Sequence, residues 1–391
     1  MSEKLMAPFL KNQKQKELYL KVTGLLNEFK KRAREYDQQA RFPFENMNDL
    51  KLTGLTSVTV PKRFGGEEIS LYQFILMQET IAQGDAATAL SVGWHNGTMM
   101  QLRDTNKWQE KVFERISREA LDDHILINTA ATEPATGSPA RGGKPETMAT
   151  KVERSWVISG KKTFTSLAPV LDYIIITASI TGEDRIGEFL LPRSAKGIRF
   201  EETWDSLGMR GTRSDDLILE DVQLPEDALV ATKDPGHGMA PQGWLLHIPA
   251  CYLGVAIAAR NDAITFAENY QPNSLNHPIS EVPEVRRKVA EMDLELMKAR
   301  HFMYRIAELW DEHPELRPQL GPELAAVKTA ATNAAVHVVD LSMRIVGGKS
   351  LEKSRPFERY YRDVRAGLHN PPSDDITSMI LAKKAFLAKE T

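Results

Sequence analysis

The 391-residue chain has a single cysteine, Cys251. That excludes an internal disulfide framework and any zinc or iron–sulfur site built from several thiolates, and it fits a reducing, cytosolic setting. Neither sign of charge is in excess: 50 Lys and Arg oppose 53 Asp and Glu, a formal net charge of −3. A mixed surface of this kind argues against a nucleic-acid binder or a polybasic membrane binder. Long apolar runs are missing too. The longest, Trp244 to Ala259, is interrupted by His247 and Pro249. It falls short of the ~20 residues a spanning helix needs and reads as a buried helix. The lysine-rich stretch from Met1 to Arg34 has no uninterrupted apolar core, so no secretory signal is expected there.

Nucleotide motifs fail when counted. Gly236-His237-Gly238 is followed by Pro241 where a dinucleotide fingerprint needs glycine, and Gly348-Lys349-Ser350 lacks the earlier P-loop glycine, which is Met343. The nine histidines contain no His-Glu-x-x-His pair, so no metal site is expected. The adjacent carboxylates Asp215-Asp216 and Asp374-Asp375 read as solvated turns.

What is present points to two or three structural units. From Gln13 to about Asp104 the pattern is helical, with breaks at Gly54 and at Pro61 to Gly66. Between Leu126 and Pro225 it changes to short β-branched or apolar runs, Trp156-Val157-Ile158, Tyr173 to Ile176, Phe189 to Leu191 and Leu217 to Leu219. After Gly243 helix returns. Val285, Val289, Met292, Leu296, Ala299, Met303, Ile306 and Trp310 form one seam, and Val327, Ala331, Ala334, Val338, Leu341 and Ile345 form another. Steps of four and three predict two long amphipathic helices. The small residues Ala330, Ala331, Ala334 and Ala335 suit close approach by an internal neighbour or by another subunit. The helix–β–helix order, without βαβ alternation, argues against a doubly wound fold and makes an α+β multidomain chain the expectation. The expected boundaries are 1–125, 126–237 and 238–391.

Several ordered motifs resemble the acyl-CoA dehydrogenase family. Phe42-Pro43, Glu45, Gly54-Leu55, Pro61 with Phe64-Gly65-Gly66, and Gln78-Glu79 with Asp85 match its first third. Thr132-Glu133-Pro134-Ala135-Thr136-Gly137-Ser138 and Ile158 to Phe164 look like its flavin-binding segments, and Met209-Arg210-Gly211-Thr212 like the close of its β domain. Gly347-Gly348 and Tyr361-Arg362-Asp363 continue the match. The resemblance implies an N-terminal helical domain, a central β-barrel-like domain and a C-terminal four-helix bundle, assembled as a homotetramer with a neighbouring subunit at the flavin's adenosine end. It implies FAD, with FMN as the alternative, and an electron-transfer protein or flavin reductase as redox partner. Flavin contacts fall on Thr129, Ala131, Thr132, Ser138, Phe164 and Ser166, and further ones on Ser274, Arg344, Gly347 and Gly348.

Departures bear on the chemistry. The family default is α,β-dehydrogenation of an acyl-CoA, in which a carboxylate takes the α-proton while hydride leaves for flavin N5. One usual glutamate position holds Pro371 and the other holds Trp244. Leu245 and Pro272 stand where the family has arginines for CoA and for the flavin pyrophosphate. Asp374 or Asp375 remains a replacement base if the turn at Pro371-Pro372 moves the chain. His95 and His369 resemble paired histidines of the family's monooxygenase branch, in which reduced flavin and oxygen act on a substrate without an α-proton base. A non-catalytic flavin-binding or scaffold protein is the third expectation.

Overall fold

In the computed structural model the described residues are 5–136, 143–235 and 240–387. Ser138 and the Gly236-His237-Gly238 motif lie outside them. Helices α1 (Gln13–Thr23), α2 (Leu26–Gln39), α3 (Phe44–Leu52), α4 (Leu71–Ala82), α5 (Ala86–Thr105) and α6 (Glu110–Asp122) come first. Short polar residues cap three of them, Asn12 at α1, Ser70 at α4 and Asp85 at α5. Ser70 and Gln73 form a reciprocal capping box at α4, and the Asp85 carboxylate accepts the Thr88 N–H at 2.9 Å at α5.

The strands are β1 (Ile127–Ala130), β2 (Met148–Val152), β3 (Ser155–Thr165), β4 (Tyr173–Ile180), β5 (Ile186–Pro192), β6 (Ile198–Glu201), β7 (Asp215–Pro225) and β8 (Leu229–Lys233). They lie in the order β6-β7-β3-β2-β4-β5-β8, and β1 pairs with β4. Both β1 and β2 run parallel to β4, β1 from Ile127 opposite Tyr173 and β2 from Met148 opposite Ser179. They therefore take successive stretches along β4. Among the described residues β6 and β8 end the path without pairing to each other, so the expected barrel-like unit is a central sheet not closed by hydrogen bonds. The four apolar runs singled out from sequence fall in β3, β4, β5 and β7.

Helices α7 (His247–Asn269), α8 (Pro283–Glu312), α9 (Gly321–Val346), α10 (Phe357–Gly367) and α11 (Asp374–Leu387) follow. α9 packs on α7, α8 and α10, and α11 lies against it as well. The predicted seams are the buried faces of α8 and α9: Met292, Leu296, Met303 and Trp310 on one, and Val327, Ala331, Val338 and Ile345 on the other, all at most 6% exposed. The segment Gly243–Asn269 is long and apolar enough to cross a membrane, but 94% of its most apolar 18-residue window is buried inside the protein. It is a core helix.

One apolar core runs through the N-terminal helices, the sheet and the C-terminal helices, and a smaller one joins α5 and α6 to β1 and β4 through Met99, Phe113, Ile127 and Ile175. A buried ion pair ties the two helical parts. Arg300 on α8 donates to both Glu79 oxygens on α4, at 2.7 and 2.8 Å, and the Tyr304 hydroxyl adds a bond of 3.0 Å. Breaking such a pair strands a buried charge and costs about 3–5 kcal/mol.

Candidate active site

His95, on α5, is fully buried, and both ring nitrogens are taken by main chain. Nδ1 accepts the Ile127 N–H at 3.0 Å and Nε2 donates to the Thr56 carbonyl at 2.7 Å. Burial pulls its pKa down to about 4, so the ring is neutral near pH 7. This histidine fixes where β1 begins. β1 then carries Asn128, whose side chain accepts the Thr129 N–H at 2.7 Å and donates to the Ser166 carbonyl at 3.2 Å. Thr129 is exposed, and Ala131 and Thr132 are half-buried.

The next residue, Glu133, is a clamp. Its carboxylate accepts from the Glu146 N–H at 2.6 Å, the Thr147 N–H at 3.1 Å, the Thr147 hydroxyl at 2.6 Å and the buried Lys162 ammonium. Burial raises its pKa, but the bonds from Lys162 and Thr147 outweigh that and hold the carboxyl below its ordinary range. Glu133 thus ties the residues after β1 to Glu146 and Thr147 ahead of β2, and Lys162 sits two residues before Phe164 on β3. Close packing supports the clamp, because a Cβ on Gly160 would lie 2.7 Å from the Thr147 Cα.

Phe164 departs from core behaviour. Its φ is +56° and its ring is 63% exposed, with one edge against Trp204 at 5.9 Å between centroids. A bulky residue held in the left-handed region costs about 1–3 kcal/mol, and such residues cluster at ligand sites. Beside it Ser166, Ser214 and Thr212 form a buried hydroxyl chain with links of 2.8 and 3.0 Å.

The Tyr361-Arg362-Asp363 motif pins the neighbouring loop. Arg362 donates to both Asp37 oxygens on α2, at 2.8 and 2.5 Å, and to the Leu207 carbonyl at 3.0 Å. Asp363, fully buried, accepts the Met209 N–H at 2.6 Å, and burial pushes its pKa up to about 7. Gly208 packs so closely that a Cβ would meet the Arg362 carbonyl oxygen at 2.2 Å. The 207–212 loop is therefore held by the C-terminal helices.

The structure does not join His95 and His369. His369 is exposed in the turn after α10, while His95 is occupied by the main chain of β1 and of Thr56. Tyr252 on α7 holds that turn, with Gly367 against its ring and its hydroxyl donating to Asn370 at 2.7 Å. Asp374 accepts from the Asn333 amide at 2.8 Å and has the Lys328 ammonium 3.9 Å away, and Asp375 is exposed in the first turn of α11. Trp244 is 8% exposed, against Trp94 and His247. Ser274, Gly347 and Gly348 are exposed, and Arg344 pairs with Asp340 on its own helix at 2.6 Å. The roles of Glu133 with Lys162, of Asn128 and of Asp363 went unread in the sequence. Glu133, Lys162 and Asp363 lie inside the motifs and Asn128 just before one, but nothing in one sequence says which pairs meet.

The N-terminal, middle and C-terminal domains of acyl-CoA dehydrogenase match residues 12–113, 128–222 and 246–385. The chain belongs to the acyl-CoA dehydrogenase family, whose members are flavin-dependent oxidoreductases. It is 49% identical over 381 residues to YdbM of Bacillus subtilis (strain 168), a provisionally named acyl-CoA dehydrogenase, covering 97% of this chain and 100% of that one. In fold it is similar to butyryl-CoA dehydrogenase from Megasphaera elsdenii, with a TM-score of 0.85 at 19% identity over 96% of this chain and 98% of that one. It is equally similar to KijD3 in complex with FMN and a dTDP-linked amino-keto sugar, with a TM-score of 0.84 at 24% identity over 96% and 94%.

The described residues fit a flavin. A flat ring needs an apolar face and a few fixed hydrogen bonds. Phe164 offers an exposed ring in a strained backbone, and the Thr163 N–H, donating to the Thr132 carbonyl at 2.9 Å, brings the exposed and half-buried stretch from Thr129 to Thr132 alongside it.

Proposed function

We propose that the protein is a monooxygenase that uses reduced flavin, built on the acyl-CoA dehydrogenase fold, and that its flavin is FMN. Bound reduced flavin supplies the electrons that activate dioxygen. The chain's own part is to orient the ring with Thr129, Ala131, Thr132, Phe164 and Ser166, to exclude water, and to move a proton. Ser138, Ser274, Arg344, Gly347 and Gly348 belong to the same proposed cofactor site, and a separate flavin reductase is the proposed electron source.

One observation carries this reading: neither usual base position holds a carboxylate. Trp244 fills one, packed between aromatic rings, and Pro371 the other, in the Asn370-Pro371-Pro372 turn. Asp374, the nearest substitute, is engaged by Asn333 and Lys328. His369 is the proposed acid–base group. It is exposed, its turn is fixed by Tyr252, and no protein hydrogen bond to its ring occurs among the described residues. His95 is proposed as a positioning residue for β1. FMN is favoured over FAD because Pro272 replaces a pyrophosphate-site arginine and Arg344 already pairs with Asp340.

The same reading takes the chain to be cytoplasmic and a homotetramer. A groove between α8 and α9, lined by Ala299, Phe302, Ala330 and Ala334, and the exposed Leu294 and Met297 support self-association. Acyl-CoA dehydrogenation is the second reading, favoured by the likeness to YdbM, with Asp375 or a released Asp374 as base.

The oxygen reaction tests the first reading. When reduced holoprotein is mixed rapidly with oxygen, flavin reoxidation should proceed in two resolved phases, and His369→Ala should merge them while flavin stays bound. A single phase in the wild type, whatever candidate substrate is added, would refute the proposal.

A further inference from the structure

Three buried polar side chains from two segments far apart in sequence meet without partners. Gln78 on α4 leaves both amide atoms unbonded, His247 at the start of α7 leaves both ring nitrogens, and Trp244 just before it leaves its indole N–H. Gln78 and His247 are fully buried. More than nine in ten buried polar groups have a hydrogen-bond partner, so five such atoms together call for a ligand.

Sequence spacing builds the cluster. Phe74 and Gln78 are one turn apart on α4, and Gly93 and Gly97 are one turn apart on α5. The glycines leave the room: a Cβ on Gly93 would lie 2.3 Å from His247 Nδ1 and 2.9 Å from Gln78 Oε1, and one on Gly97 2.3 Å from the Trp244 ring. Trp244 stacks on His247 at 5.6 Å, while Trp94 and Phe74 stand 4.9 and 6.0 Å from it. His95, two residues from each glycine, points to the opposite side of α5 and bonds β1. The cluster therefore lies one helix away from the candidate flavin strand.

The groups offer donors and acceptors but no net charge. Desolvation pulls the pKa of His247 down to about 3, and the adjacent charges, Glu79 and Arg300, satisfy each other. A carboxylate brought here would be buried without a counter-ion. We infer that Gln78, His247 and Trp244 form the polar end of the substrate pocket, and that the substrate is a neutral molecule with a flat apolar body and a group that both donates and accepts hydrogen bonds. This deepens the oxygenation reading and rests on it only for the chemistry that follows binding.

Benzamide and the isosteric anion benzoate are suitable probes, titrated by calorimetry into oxidised holoprotein. Neither reductant nor turnover is involved, so the result is independent of the oxygen reaction. Benzamide should bind at least tenfold more tightly than benzoate. Gln78→Leu and His247→Phe should each weaken benzamide at least tenfold while raising Tm, because each removes unpaired buried groups. If His247→Phe fails to fold, Gln78→Leu alone decides. Equal binding of the two probes, binding of neither, or unchanged benzamide affinity in the variants overturns the inference.

Discussion

Both nitrogens of His95 are spent on main chain, and the two groups they satisfy, the Ile127 N–H and the Thr56 carbonyl, are buried with it. Replacing the ring by phenylalanine keeps most of the volume and strands both groups. His95→Phe should therefore cost about 2–4 kcal/mol in denaturant unfolding and weaken flavin binding, since β1 loses its tie. Asp363 makes a different prediction. Its carboxyl is raised to about 7 in the folded protein against an ordinary value of 3.8, so the folded state holds the proton more tightly. Its contribution is fully present below about pH 4 and is lost as pH rises toward 7. Asp363→Asn keeps an acceptor for Met209 and should flatten the fall of Tm across that window. His95 and His247 act with the opposite sign. Their depressed values mean that stability present above the ordinary 6.5 is lost as pH falls toward 4. Phe164→Ala should reduce flavin affinity at least tenfold and leave the Tm of the apoprotein unchanged or higher, because the exposed ring packs little core.

Among the elements, α8 and α9 were the most legible, because a seam of threes and fours fixes both the helix and the face it buries. The strands β3, β4, β5 and β7 announced themselves as short apolar runs. The succession of β1 and β2 along β4 was not readable, since parallel pairing joins residues far apart and leaves no turn signature between them. The candidate site was legible to the same degree. Resemblance pointed to Thr129, Thr132 and Phe164, but burial decides what a histidine does, and burial follows from the packing of whole elements. His95 and His369 look alike in sequence and sit in opposite environments. The packing of α5 against the Trp244 segment makes this testable. Gly97→Ala places a methyl 2.3 Å from the indole, and it should destabilise by about 1–3 kcal/mol in thermal or denaturant unfolding.

For the molecule as a whole, three parts share one core, and the candidate flavin site is held between the sheet and the loop that the C-terminal helices pin through Arg362 and Asp363. A net charge of −3 gives no general field to gather a polyanionic thioester. Binding of CoA would have to rest on local cations, and the resemblance puts Leu245 at the place of the family's arginine for it. The central claim is that this chain keeps the family's flavin scaffold without its α-proton base. Anaerobic titration of the oxidised holoprotein with saturated acyl-CoAs from short to long chain tests that claim most directly. The account predicts that the yellow flavin absorbance persists with every chain length, and stoichiometric bleaching by any of them would contradict it.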